Sequence, residues 1–139
     1  MTGEPLRVSV VIPALNESGR LSAAIRSARE ADADEVIVVD GGSADGTAQL
    51  AAGLCDRVLS AARGRAAQMN AGAHAASGDA LLFLHADTSL PPAADQLILS
   101  ALESRLWGRF DVQIEARHRL LKLVACAMNL RSRMSGIAT

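Results

Sequence analysis

Four polar clusters hold the residue types on which chemistry could be built. They are Asn16-Glu17, Asp40 with the loop Gly41-Gly42-Ser43-Ala44-Asp45-Gly46, the pair Arg63 and Arg65 around Gly64, and His85-Ala86-Asp87. A carboxylate can accept hydrogen bonds or ligate a hard cation. Two guanidinium groups around a glycine suit a diphosphate, because their forks match phosphate oxygens. Plainer readings exist for each cluster. Asp-Gly and Gly-Gly-Ser are turn chemistry anywhere, and Asn16-Glu17 could lead into a helix cap. Asp87 could be a loop residue before Pro91, His85 a satisfied structural histidine, and the two arginines a solvated loop. Placement argues otherwise: three of the clusters directly follow a short apolar run.

Those runs are Val8–Ile12, closed by Pro13, then Val36–Val39 and Ala80–Leu84. Continuous β-branched runs of this length read as strands buried on both faces. Arg57–Leu59 reads as a further short strand. Apolar positions recur at helical spacing in Arg20–Ala31, and Thr47–Leu54, Ala66–Ala76 and Ala93–Ser104 also read as helices, the last opened by Pro91-Pro92. Trp107–Ile114 alternates in places and predicts a strand. Leu120–Leu130 predicts an apolar helix with basic flanks. Strands alternating with helices define an α/β class, a mostly parallel sheet with helices on both faces. In such sheets ligands bind at the carboxyl ends of the strands, where Asn16, Glu17, Asp40 and Asp87 fall.

The chain has 139 residues, half of them hydrophobic, with a net charge of −1. That is one domain's worth of globular sequence. It divides into 1–104, with the strand–helix units, and 105–139. Two Phe, one Trp and no Tyr exclude aromatic base-stacking platforms, and the near-zero net charge offers no global attraction for nucleic acid. Charge is uneven, however. Residues 1–102 hold 7 basic and 12 acidic side chains, and residues 103–139 hold 7 and 3. Cys55 and Cys126 lie far apart in apolar segments and read as two buried free thiols in a reducing compartment. The glycine loop at 41–46 does not match the dinucleotide fingerprint, and there is no Walker loop and no Gly-x-Ser-x-Gly elbow.

Three segments together resemble the family 2 glycosyltransferases: Val10–Glu17, Val38–Thr47 and Phe83–Asp87. A fourth, Arg63–Gly72, is similar to the bacterial radical-SAM/selenodomain-associated transferases, as are Trp107–Asp111 and Asn129–Arg133. The resemblance implies a GT-A type, Rossmann-like domain that binds a nucleotide-diphosphate sugar, UDP-linked by preference, and a divalent cation, Mn²⁺ or Mg²⁺. Carried over by position, Asp40 would accept a hydrogen bond from the uracil imide. Pro13, Asn16, Glu17 and Gly42 would line the nucleoside pocket, and Asp45 would fix the loop. Arg63, Arg65, Gln68 and Asn70 would face the nucleotide or sugar, His85 would contact ribose or phosphate, and Asp87 would hold the metal. A metal-held diphosphate is a better leaving group, so the implied reaction is an inverting transfer to an unknown acceptor.

The family's acceptor half, with the acidic segment that supplies the base, would follow Thr139. The chain therefore reads as the truncated, donor-binding half of a longer enzyme, with its catalytic base beyond Thr139. A sheet cut short would favour association with further copies. Other readings are a non-catalytic nucleotide-sugar-binding module and a nucleotidyltransferase. The segment 117–134, with basic residues around an apolar stretch, reads first as a core helix with solvated ends and second as a stretch in peripheral contact with an anionic membrane; the expected location is cytoplasmic, on the second reading peripheral to the inner face of the membrane.

Overall fold

The computed structural model describes residues 5–111, 113, 114 and 119–135. The elements follow in the order β1 (Val8–Ala14), α1 (Leu21–Glu30), β2 (Glu35–Asp40), α2 (Thr47–Ala52), β3 (Arg57–Ser60), α3 (Arg65–Ala75), β4 (Ala80–Phe83), α4 (Ala94–Leu102) and α5 (Arg119–Ser135). The four strands are parallel, in the order β3-β2-β1-β4. β1 is central, with Ala14 beside Asp40 at the carboxyl end of the β1–β2 pair.

Both faces of the central strands are buried, which is why their sequences read as unbroken apolar runs. On one face Val10, Ile12, Val36 and Val38 pack with Leu21, Ala24, Ile25 and Ala28 of α1 and Ala51 of α2. On the other, Val11, Ile37 and Val39 pack against Ala71 and Ala75 of α3. The chain forms two compact units, residues 1–100 and 101–139.

Two expected elements differ. β1 runs through Pro13 to Ala14 rather than stopping at the proline. The Ala14 carbonyl bonds Gly41 N–H of β2's side, and the Val11 carbonyl bonds Leu84 N–H of β4's side. Alternation then points the Pro13 nitrogen toward β4 at a level where β4 has ended, so no ladder bond is lost. The strand expected at Trp107–Ile114 is absent: the described residues there, 107–111, 113 and 114, are irregular. A strand needs a ladder partner, and no described residue pairs with this segment. The thiols also differ from expectation, since Cys55 is half-buried and Cys126 exposed, although both are free.

Candidate functional site

The polar clusters gather at the carboxyl edge of the sheet, where β1 and β2 feed interlocked loops. Asn16 takes a left-handed backbone, φ 53°. Its side-chain oxygen accepts from Ala44 N–H at 2.9 Å, and its own N–H donates to Ser43 Oγ at 2.9 Å. Glu17 N–H donates to Thr47 Oγ1 at 2.9 Å. Asp45 accepts from Ser18 N–H at 3.1 Å, from Thr47 N–H at 3.1 Å, and from the Thr47 hydroxyl. The Thr47 hydroxyl bond leads the interactions that hold the Asp45 carboxyl well below the usual carboxylate range. The loops after β1 and β2 are thus stitched together by side chains, which fixes the backbone on both sides of the strand ends.

Asp40 lies in the floor of this edge, only 5% exposed. Its Oδ2 accepts from Gly42 N–H at 3.0 Å and Ser43 N–H at 2.9 Å, and its Oδ1 is buried with no partner. Burial pushes the carboxyl up, but hydrogen bonds from Ser43 and Gly42 outweigh it and the net direction is down. Asp40 is therefore an ionised group with one oxygen waiting for a donor. Gly42 meets the geometry with φ 90°, a left-handed conformation that favours glycine.

Gln68 differs from its expected role. It is 4% exposed, and its amide nitrogen donates to the Ala14 carbonyl at 2.8 Å and the Val39 carbonyl at 2.9 Å. Both amide hydrogens are spent on the ends of β1 and β2, so Gln68 braces the floor rather than reaching for a ligand. Gly41 lies close beside it: a Cβ there would stand 3.1 Å from the carboxamide and press it out of place by a few tenths of an ångström.

Arg63 and Arg65 are exposed around Gly64, which starts α3 with φ 137°. Neither forms an ion pair among the described residues. Their loop leaves β3 beside β2, where Ala61 N–H bonds the Asp40 carbonyl at 3.0 Å. Asn70 is exposed on α3 and shares no hydrogen bond with the loop cluster; its carbonyl contacts His74 Nδ1 at 2.7 Å. Pro13 is half-buried in β1.

His85 and Asp87 stand in the turn after β4, on the other side of β1. His85 is half-buried and Asp87 exposed, with Thr88 N–H closing the turn on the His85 carbonyl at 3.0 Å. β2 and β4 flank β1, so Asp40 and this turn are roughly 10 Å apart across the sheet. Among the described residues no three His, Cys, Asp or Glu side chains converge as a ready-made metal cage. Asp87 nonetheless fits a hard cation. One of its oxygens takes a long 3.3 Å bond from the Thr88 hydroxyl, leaving the other open, and Mg²⁺ characteristically uses one or two carboxylates and completes its shell with phosphate oxygens and water. Ser43 and Thr47 hold the loops but carry no assigned role in the sequence, where Asp45-Gly46-Thr47 reads as turn chemistry.

The glycosyl transferase family 2 pattern matches residues 9–117. The chain belongs to that family. Its fold is similar to M. tuberculosis glucosyl-3-phosphoglycerate synthase, with a TM-score of 0.60, 29% identity, and coverage of 71% of this chain and 41% of the other. That enzyme has been solved with Mn²⁺, uridine diphosphate and glucosyl-3-phosphoglycerate. Mannosyl-3-phosphoglycerate synthase from Rubrobacter xylanophilus gives a TM-score of 0.63 at 27% identity, over 71% and 36% of the two chains. S. aureus TarS 1-349, at 19% identity, shares the fold, with a TM-score of 0.63 over 81% and 40%. The chain spans about two fifths of the length of these proteins. The comparison with curated proteins gave no match. The α/β, GT-A-like sheet expected from the sequence is the fold observed.

Proposed function

We propose that this chain is the donor-binding part of a glycosyltransferase that takes sugar from a nucleoside-diphosphate donor, with a UDP-sugar favoured. The observation that carries the reading is the buried, unpartnered Asp40 Oδ1 at the carboxyl edge of a parallel sheet. An imide N–H would satisfy it at little further desolvation cost. Pro13, Asn16, Glu17, Gly42 and Asp45 shape the pocket beside it, Arg63 and Arg65 meet the diphosphate, and Asn70 faces the nucleotide or sugar. His85 contacts ribose or phosphate, and Asp87 holds Mn²⁺ or Mg²⁺. The bound cation would offset the charge that develops on the leaving diphosphate. The separation of Asp40 from Asp87 across β1 suits a base at one end and phosphates at the other. One similar enzyme, M. tuberculosis glucosyl-3-phosphoglycerate synthase, solved with uridine diphosphate and Mn²⁺ or Mg²⁺, supports this assignment.

The finer reading rests on the sequence motifs. It places the chain nearest the radical-SAM/selenodomain-associated transferases, makes residues 1–139 one nucleotide-sugar domain, and gives the reaction an inverting course. The proposed location, cytoplasmic with the segment 117–134 peripheral to the inner face of the membrane, rests on composition and charge instead.

Thermal melts with UDP and GDP, each with and without Mn²⁺, test the donor site. A ligand bound only by the folded state raises the midpoint by mass action. UDP is expected to raise it, more so with Mn²⁺. Asp40→Asn, which sets an N–H₂ where an acceptor is needed, is expected to weaken UDP binding by about tenfold or more. Asp87→Ala is expected to abolish only the Mn²⁺ increment. A folded chain whose midpoint ignores every nucleotide would refute the reading.

A further inference from the structure

Helix α5 carries two different faces. At 100° per residue, Lys122, Ala125, Cys126, Asn129 and Arg133 fall on one side. Leu120, Leu123, Ala127, Leu130 and Met134 fall about a third of a turn away. The first face, with Leu130 at the border of the second, lines a cavity of about 470 Å³ within the unit formed by residues 101–139, shared with Asp111, Gln113 and Ile114. That volume lies in the range of small-molecule sites.

Its charges are arranged around one carboxylate. Asp111 accepts from Arg109 through Oδ1 at 3.3 Å and from Arg133 through Oδ2. Arg109 also bonds the Asn129 carbonyl at 3.1 Å, which fixes its guanidinium. One carboxylate thus holds two guanidinium groups, each with N–H donors left over. Lys122, the only lysine of the chain, lines the same cavity and makes no ion pair among the described residues. Of the charged residues that line the cavity, two are cations, Lys122 and Arg133, and one is an anion, Asp111, a local excess of one positive charge, while Arg109 holds Asp111 from outside the lining. Gln113 adds a neutral amide to the lining. A guanidinium fork, an ammonium and an amide around a cavity suit a compact, multiply charged oxyanion.

We propose that this cavity binds a phosphate group. The phosphate site follows from the cavity itself and does not rest on the donor-site reading above. The phosphate can arrive on a soluble phosphomonoester or on a lipid headgroup, and the recognition chemistry is the same.

Cys126 reports on occupancy, since it is exposed and lies on the cavity face. In a Cys55→Ser chain it is the sole thiol. Its alkylation by neutral iodoacetamide is followed at constant ionic strength with inorganic phosphate in place of chloride, or with vesicles containing phosphatidic acid in place of vesicles matched in charge by a carboxylate lipid, so that general contact with an anionic surface is common to both. Saturable slowing of several-fold by free phosphate supports a soluble source; slowing only by the phosphatidic acid vesicles supports a lipid source. In either arm Lys122→Gln is expected to raise the half-saturating concentration about tenfold, and Arg133→Gln at least as much. Circular dichroism shows that each variant is folded. No protection in either arm, or protection unchanged in both variants, overturns the proposal. The readout is independent of UDP, so loss of the nucleotide-dependent melt with Cys126 protection intact would fault the donor reading alone.

Discussion

Gly72 sits where α3 crosses the sheet, and a Cβ built on it would lie 2.2 Å from Val11 Cγ1 and 3.1 Å from Val39 Cγ2. Both valines are fully buried, so neither can move aside freely. The helix itself would have to shift, and with it Gln68, one turn earlier, whose amide holds the ends of β1 and β2. Gly72→Ala is therefore expected to destabilise the fold by about 1–3 kcal/mol, although alanine is the better helix former. It should also weaken the UDP response. Denaturant unfolding and nucleotide melts of the variant check both effects, and unchanged stability would show that α3 can be displaced without cost. At this scale the sequence was informative where a residue's type limits its use. Asp40 and Asp45 after an apolar run could be picked out. Gln68 could not, because a carboxamide serves a ligand or a backbone carbonyl equally well, and only tertiary placement decides which.

The helices and strands of residues 5–100 were legible because each obeys one rule: continuous apolar strands, apolar helix stripes, and turn residues between them. Boundaries moved by a residue or two where hydrogen bonding rather than hydropathy sets the end. Residues 107–114 misled because alternation alone does not supply a pairing partner. α5 was legible as a helix but not in its exposure. Its side chains at Leu120, Leu123 and Met134 are 70%, 67% and 81% exposed, an apolar stripe lying beside basic residues such as Lys122 and Arg131. No helix among the described residues is long and apolar enough to span a membrane. A stripe of this kind instead supports contact in the interface plane of an anionic bilayer. Of the segment 117–134 assigned to this contact, residues 117 and 118 lie outside the described residues. The expected outcome is co-flotation with vesicles containing anionic lipid, lost in 0.5 M salt and in a Leu120→Ser, Leu123→Ser double variant. A chain that stays at the bottom of the gradient at low salt would remove the membrane from the account.

Both ends of the parallel sheet are closed by carboxylates, and that shared device sets how the molecule should respond to acid. At the amino edge Asp34 accepts from Val8 N–H at 2.7 Å, Asp56 from Val36 N–H at 2.7 Å, and Asp79 from Arg7 N–H at 3.0 Å. Glu35, buried there, accepts from Ser9 Oγ at 2.6 Å and Ser77 N–H at 2.8 Å. Burial raises the Glu35 carboxyl, but these bonds and Arg57 outweigh it and the net direction is down. The Arg29 guanidinium, 2.9 Å away, leads the interactions that lower Asp56. At the carboxyl edge Asp40 and Asp45 are lowered as well. Glu35, Asp40, Asp45 and Asp56 each bind a proton more weakly folded than unfolded, so the unfolded chain takes up more protons in acid. Their stabilisation is complete above the unfolded values, 4.5 for Glu and 3.8 for Asp, and is lost as pH falls through the lower folded values. The melting temperature is thus expected to change little on account of these groups from about pH 8 to 6 and to fall below about pH 5. Asp56→Asn should lower stability at neutral pH and make the acid limb shallower, because that group no longer contributes to proton uptake. A melt as stable at pH 3 as at pH 7, or an acid limb of the same slope in Asp56→Asn, would show that these carboxylates do not hold the sheet's ends.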